Sequence, residues 1–267
     1  MSNSIKELSH NSDQIIEFTI NEFKIKLAET EKELDELFRL RYEVFNVEMG
    51  EGLSSSEATG KDIDEYDKYC GHLIVVDTEN NNKIVGTYRL LDKTSAKNGI
   101  GFYSETEFDI SRLKELDEDF IEIGRSCVHK DYRSKNIMKY LWAGLAKILE
   151  LTKAKFLFGC GSIHSENIDD ISKVFRYFKE KHYAEEKHRC SPKKENVLEG
   201  LNPEINIDNA KQVFKLIPPI LKGYIRLSAV CCGEPAWDHE FGCADLLLML
   251  DTNKITKKYA NHFFRNQ

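Results

Sequence analysis

Apolar residues alternate with polar ones from Phe18 to Leu27, through Phe18, Ile20, Phe23, Ile25 and Leu27, which predicts a strand. Thr30 with Glu33 has the spacing of a capping box. The helix it opens carries Leu34, Leu37, Phe38, Arg41, Val44 and Phe45 along one side. Residues 48–71 form a long polar loop rich in glycine and serine, and its second half is acidic. Strands follow at His72–Asp77 and Lys83–Leu91, with the Asn80-Asn81-Asn82 run as their hairpin turn. Residues 92–120 are irregular, with a short helix near Ile110–Leu116. A buried strand, Ile121–Val128, then runs into a basic turn, His129–Lys135. Ser134–Leu151 is amphipathic and helical, Phe156–Cys160 a buried strand, and Ile168–Tyr183 a helix. Residues 184–210 read as a charged, loop-like insertion. Ile217-Pro218-Pro219 forbids a regular helix start before it, Tyr224–Cys231 and Ala244–Leu250 read as late strands, and Lys257–Phe264 as a weak terminal helix.

Hairpins and crossover helices both occur in this order, so the predicted fold is α/β with a mixed sheet flanked by helices. There is no internal repeat and no flexible interdomain linker. The expectation is a polar tail, residues 1–17, and a single domain over 18–267 with the insertion near 184–210. Its 267 residues suffice for one large domain.

Composition narrows the class. Charged residues make up 31% and apolar ones 41%, as in a soluble enzyme. A net charge of -7 argues against nucleic acid as a partner. No apolar run reaches the roughly 18 residues of a membrane span. Met1–Gln14 lacks the apolar core of a signal peptide, so a cytoplasmic location is expected. The seven cysteines are odd in number and include no C-x-x-C pair, so buried reduced thiols are expected rather than disulfides or a metal site.

The chemistry concentrates around residues 121–135. Glu122 and Arg125 interrupt a buried strand, and such charges are costly to bury unless paired or used. Lys130, Arg133 and Lys135 sit where a helix begins, which suits an anionic group. Arg41 and Arg89 also interrupt apolar patterns, and Asp64 and Asp67 are their natural counter-ions. One reading makes Glu122 a base that removes a proton from an amine; the other makes it a structural ion-pair partner. The same choice, substrate pocket or structural network, holds for Arg41, Asp64, Asp67, Arg89 and Arg125. Cys127 has no obvious base beside it and reads as an inert thiol. His164 reads as a loop residue, and Trp237 and Tyr224 as packing residues.

The strand, basic turn and helix resemble the Gcn5-related N-acyltransferase fold, whose turn motif is R/Q-x-x-G-x-G/A. Here that segment is Arg133-Ser134-Lys135-Asn136-Ile137-Met138, with the arginine kept and both glycines replaced. Glycine there lets the backbone approach a diphosphate closely, so the departure points away from coenzyme A. A more specific resemblance rests on further segments: Leu40-Arg41-Tyr42-Glu43-Val44-Phe45, Asp62-Ile63-Asp64-Glu65-Tyr66-Asp67, Gly86-Thr87-Tyr88-Arg89-Leu90-Leu91, Phe102-Tyr103-Ser104-Glu105-Thr106-Glu107-Phe108, Glu122-Ile123-Gly124-Arg125-Ser126-Cys127-Val128, Leu157-Phe158-Gly159-Cys160, Pro218-Pro219-Ile220-Leu221-Lys222-Gly223-Tyr224 and Cys232-Gly233-Glu234-Pro235-Ala236-Trp237-Asp238. Together they resemble the ornithine-lipid and glycine-lipid N-acyltransferases, cousins of the acyl-homoserine-lactone synthases. The resemblance implies transfer of a 3-hydroxyacyl group from acyl carrier protein to an amino acid's α-amine, giving a lyso-lipid precursor.

It further implies Glu122 as the catalytic base and Arg41, Asp64, Asp67, Arg89 and Arg125 around the amine substrate. Ser126, Cys127, Val128, Lys130, Arg133 and Lys135 would hold the acyl donor. No metal or other cofactor is implied beyond the carrier's phosphopantetheine thioester as co-substrate. The partners would be acyl carrier protein and a small amino acid, with peripheral contact at the inner face of the membrane through the lipid product. Ornithine is favoured over glycine, because its side chain calls for an extra acidic partner that the 62–67 run can supply. The alternatives are an acyl-homoserine-lactone-synthase-like enzyme, an acyl-CoA-dependent N-acyltransferase, and a non-catalytic acyl-carrier-protein-binding module.

Overall fold

The computed structural model describes Ile5 and residues 16–253. The N-terminal tail apart from Ile5, and the predicted helix at Lys257–Phe264, lie outside the described residues. In chain order the main elements are β1 (Glu17–Ile20), β2 (Phe23–Leu27), α1 (Glu31–Tyr42), β3 (Gly71–Asp77), β4 (Lys83–Asp92), α2 (Lys93–Asn98), β5 (Phe108–Asp109), α3 (Ser111–Lys114), β6 (Phe120–Val128), α4 (Ile137–Thr152), β7 (Phe156–Ile163), α5 (Ile168–Lys181), β8 (Ser191–Pro192), α6 (Ala210–Leu216), α7 (Pro219–Arg226), β9 (Val230–Cys231), β10 (Ala236–Asp238) and β11 (Cys243–Asp251). They fall into two compact units. Of the described residues, the first takes Ile5, 16–101 and 121–154; the second takes 102–120 and 155–253.

In the first unit β1, β2, β3, β4 and β6 pair antiparallel in that order. The stretch read as one strand from Phe18 to Leu27 is a hairpin. Ile20 pairs with Phe23, and Asn21 turns the chain at a φ of 53°. The apolar positions shift by one across the two-residue turn, from Phe18 and Ile20 to Phe23, Ile25 and Leu27, and that break in the alternation marks the hairpin. At the β3–β4 turn, Asn81 and Asn82 take positive φ and Asp77 accepts from the amides of Glu79 and Asn80.

Helix α1 starts at the predicted capping box, with both reciprocal bonds of Thr30 and Glu33 present. It continues as a π-helical segment, Glu43–Met49. Leu37, Leu40 and Val44 pack on Ile74, Val76, Ile84 and Cys127, covering one face of the sheet. Helix α4 covers the other. It begins at Ile137 rather than Ser134, because Asn136 before it adopts the left-handed conformation at a φ of 61°. Gly86 lets the helix start sit on the sheet: a Cβ there would lie 2.6 Å from the Ile137 side chain.

In the second unit β7, β11 and β10 pair antiparallel, with β9 also on β11. Phe102, Phe120 and Phe158 form a ring cluster in its core. Most of Tyr224–Cys231 is not a strand. Pro219 stands at the first position of α7, where its missing N–H costs nothing, and Leu221 and Tyr224 form its buried face. Only Val230–Cys231 is extended. The insertion at 184–210 carries 3₁₀ turns and the short β8, which pairs with β5. None of the seven cysteines is in a disulfide.

Candidate active site

Three arginines converge on one short loop in the first unit. Arg41 comes from α1, Arg89 from β4 and Arg125 from β6; the loop brings Asp62, Asp64 and Asp67. Arg41 is fully buried. Its Nε donates to Asp62 at 2.6 Å, and its Nη1 and Nη2 hold both oxygens of Asp67 at 2.7 and 3.2 Å. Such a bidentate pair fixes both distance and plane. Arg89 Nη1 donates to Asp64 at 2.5 Å and also faces Asp67 at 3.4 Å. Arg125 reaches Asp64 at 3.2 Å and Asp62 at 3.4 Å. The loop folds on itself as well: Asp67 accepts from the Asp64 amide, and Asp64 from the Tyr66 amide.

The charges set the protonation states. Burial alone would push Asp67 up, but Arg41 and Arg89 hold its carboxyl well below the usual carboxylate range. Burial opposes the charge on Asp64 as well, and Arg89 beside it wins and lowers it. Burial works against the Arg41 and Arg89 cations, and the facing aspartates more than compensate. His72, beneath the cluster, is buried down to a pKa of about 4 and so stays neutral. Its ring lies 3.4 Å from the Asp67 carbonyl.

Glu122 belongs to the same face of the sheet. Leu91 pairs with Glu122, Arg89 with Gly124 and Thr87 with Cys127. Leu91, Arg89 and Thr87 alternate along β4 and so share a face, and their partners share it too. Glu122 and Cys127 are five residues apart, yet both lie on it. The extra residue is absorbed by a β-bulge at Arg125 and Ser126, where Arg125 takes a φ of 47°. A bulky side chain held in the left-handed region stores strain, and the two aspartates on its guanidinium hold it there. Glu122 is buried, and its charge is felt by Tyr66 and Cys70. Both are raised to about 12, first by burial and in part by this carboxylate.

The predicted amine-site residues Arg41, Asp64, Asp67, Arg89 and Arg125 are thus brought together, with Glu122 on their face. Asp62 belongs with them and was not singled out from the sequence. The signal was present: three arginines in apolar settings need three counter-ions, and the 62–67 run has three aspartates. Each of these carboxylates already faces arginine.

The residues expected at the acyl donor are more dispersed. Ser126 lies in the bulge. Cys127 packs in the α1 core, where burial pushes its thiol up to about 12. Val128 pairs with Gly86. Arg133 bonds to Glu48 of the π-helical segment and to the Val128 carbonyl. Lys130 is exposed, and the Lys135 ammonium lies 4.9 Å from the Tyr132 ring centre. Tyr132 anchors this turn by donating to Asp77 at 2.8 Å and accepting from Asn80 at 2.9 Å. Asn136 keeps the left-handed bend that a glycine would otherwise supply, since asparagine tolerates it best among the other residues. The amides of Ile137 and Met138 belong to the first turn of α4, which an α-helix leaves without internal acceptors.

In the second unit, donor atoms of Glu107, Cys160 and Asp245 lie within 4.8 Å of one another, close enough to hold a metal ion. Burial raises Asp245 to about 6, against a hydrogen bond from Ser162.

An acetyltransferase (GNAT) domain matches residues 40–143, the span that runs from Arg41's turn of α1 into α4. An L-ornithine N(alpha)-acyltransferase of Brucella abortus is 32% identical over 262 residues, covering 95% of this chain and 92% of the relative. The Agrobacterium fabrum enzyme of the same name is 31% identical over 259 residues, covering 91% and 86%. Among solved structures, FeeM, an N-acyl amino acid synthase from uncultured soil microbes, aligns with a TM-score of 0.52. It is 9% identical and covers 88% of this chain and 93% of its own, which speaks to the fold alone. The chain is therefore an acyltransferase and belongs to the L-ornithine N(alpha)-acyltransferase family.

Proposed function

We propose that this enzyme transfers a 3-hydroxyacyl group from acyl carrier protein to the α-amine of ornithine, releasing an amphiphilic N-acyl amino acid. The observation that supports it most is the near-full-length identity to enzymes named for ornithine N-acylation. The geometry adds a mechanism. The contacts of Arg41, Arg89 and Arg125 with Asp62, Asp64 and Asp67 pin the 62–67 loop against the sheet face that bears Glu122. An ammonium is not a nucleophile until it loses a proton, and Glu122 accepts that proton. The amine then attacks the thioester carbon, the C–S bond breaks, and the carrier leaves as its thiol. Holding amine and thioester together supplies much of the rate. The reaction takes place in the cytoplasm or at the inner face of the membrane; no helix among the described residues is long and apolar enough to cross one.

The donor has a second reading. Asn136 preserves the turn that coenzyme A-dependent relatives build with glycine, which favours acyl-CoA as a competing thioester. The purified chain is incubated with 3-hydroxyacyl carrier protein or 3-hydroxyacyl-CoA and single amino acids, and products are read by mass spectrometry. N-acyl ornithine from the carrier-borne donor is the expected result. Product from acyl-CoA alone would overturn the carrier assignment, and product with every amino acid except ornithine would overturn the acceptor.

A further inference from the structure

From Ala210 to Gly233 the chain holds Lys211, Lys215, Lys222 and Arg226 and no acidic residue, within a molecule of net charge -7. Asp208 and Glu234 bracket the stretch. It folds as α6 and α7, joined at Ile217-Pro218. The inward side is anchored: Val213, Ile217, Leu221 and Tyr224 are buried, and Phe214 packs on Tyr177 of α5. The outward side mixes charge with apolar surface. Lys211 and Lys215, one turn apart, are exposed, and Leu216 beside them is 41% exposed, with Pro219 exposed at the corner. Lys222 is committed locally, since its ammonium meets the Lys215 carbonyl at the end of α6 and covers the Phe214 ring.

We infer that this corner is a docking surface for an anionic lipid bilayer. Lysines one helical turn apart reach the phosphate layer together, and Leu216 and Pro219 enter the boundary below it. A chain with excess negative charge is repelled from such a surface unless a local basic patch faces it. The inference rests on the proposed reaction for its purpose: an acylated amino acid is poorly held by water, and a bilayer contact delivers it to the next enzyme. An acidic protein is the competing occupant. The exposed leucine between the lysines and the corner proline favours lipid.

The test is cosedimentation of the purified full-length chain with vesicles of phosphatidylglycerol and phosphatidylcholine, against phosphatidylcholine alone. Binding to the anionic vesicles at low salt and release at about 0.5 M salt are expected, because screening shortens the reach of surface charge. The double variant Lys211→Glu/Lys215→Glu lowers the partition at least about tenfold. Leu216→Asp weakens binding to the anionic vesicles at low salt. Both variants acylate the soluble amino acid at the wild-type rate without vesicles, which shows that they fold. Equal partition to both vesicle types, or wild-type binding by the double variant, would overturn the inference. So would lysine-dependent capture of an acidic carrier protein with no vesicle binding. Failure of the acyltransferase reading shows separately, as absence of product from the wild type in solution.

Discussion

Glu122 sits on a face otherwise given to arginines and core residues, in a strand that must bulge to keep it there. If it accepts the amine proton, Glu122→Gln keeps the shape and the burial but removes the acceptor. The expected loss in kcat is about 10²- to 10⁴-fold, with an unchanged unfolding midpoint. Transfer at the wild-type rate by a folded Glu122→Gln chain would remove it from the mechanism. His72 carries a second prediction, on stability. Its pKa is 6.5 when unfolded and about 4 when buried. Between those values the unfolded chain binds a proton that the folded one refuses. Stability is therefore lost as pH falls from 6.5 toward 4, at up to about 1.4 kcal/mol per pH unit. Asp245, raised to about 6, works in the opposite direction over part of that window. Denaturant unfolding of wild type and His72→Gln at pH 7, 5.5 and 4.5 isolates the histidine, because the Asp245 contribution cancels in the difference.

Elements were legible where one pattern dominated. The capping box, the β3–β4 hairpin and the amphipathic α4 were readable because caps, asparagine turns and apolar stripes are local signals. Two elements misled. Asn21-Glu22 lacks the glycine that usually marks a tight hairpin, and the only other sign of the turn is a one-position break in the alternation between Ile20 and Phe23. Around Tyr224, aromatic and β-branched residues suggested a strand, while Pro219 had already set the backbone for a helix. The contact of α4 with the sheet depends on a missing side chain, which no periodicity reveals. Gly86→Ala places a methyl 2.6 Å from Ile137 and should cost about 1–3 kcal/mol in denaturant unfolding. Ile137→Ala in the same chain should recover part of that loss by making room, whereas Ile137→Ala alone destabilises.

For the molecule as a whole, the candidate site was half legible. The charged residues stood out because each broke an apolar pattern, but which aspartate met which arginine needed the fold, since the partners are 21 to 61 residues apart. The thiols offer a global check. Cys70, Cys127, Cys231, Cys232 and Cys243 are buried, and only Cys160 and Cys190 are half-buried. Titration with a thiol reagent should find at most two fast groups in the native chain and all seven after unfolding; a fast third would mean one unit opens readily. Three guanidiniums against Asp62, Asp64 and Asp67 make an electroneutral object, so seen from beyond a Debye length of about 8 Å the acidic-looking loop is silent. It cannot draw in a substrate by long-range attraction, and the chain's net charge of -7 is carried by other residues. Discrimination between a dibasic and a neutral amino acid must then come from contacts made after encounter, and should vary little with ionic strength.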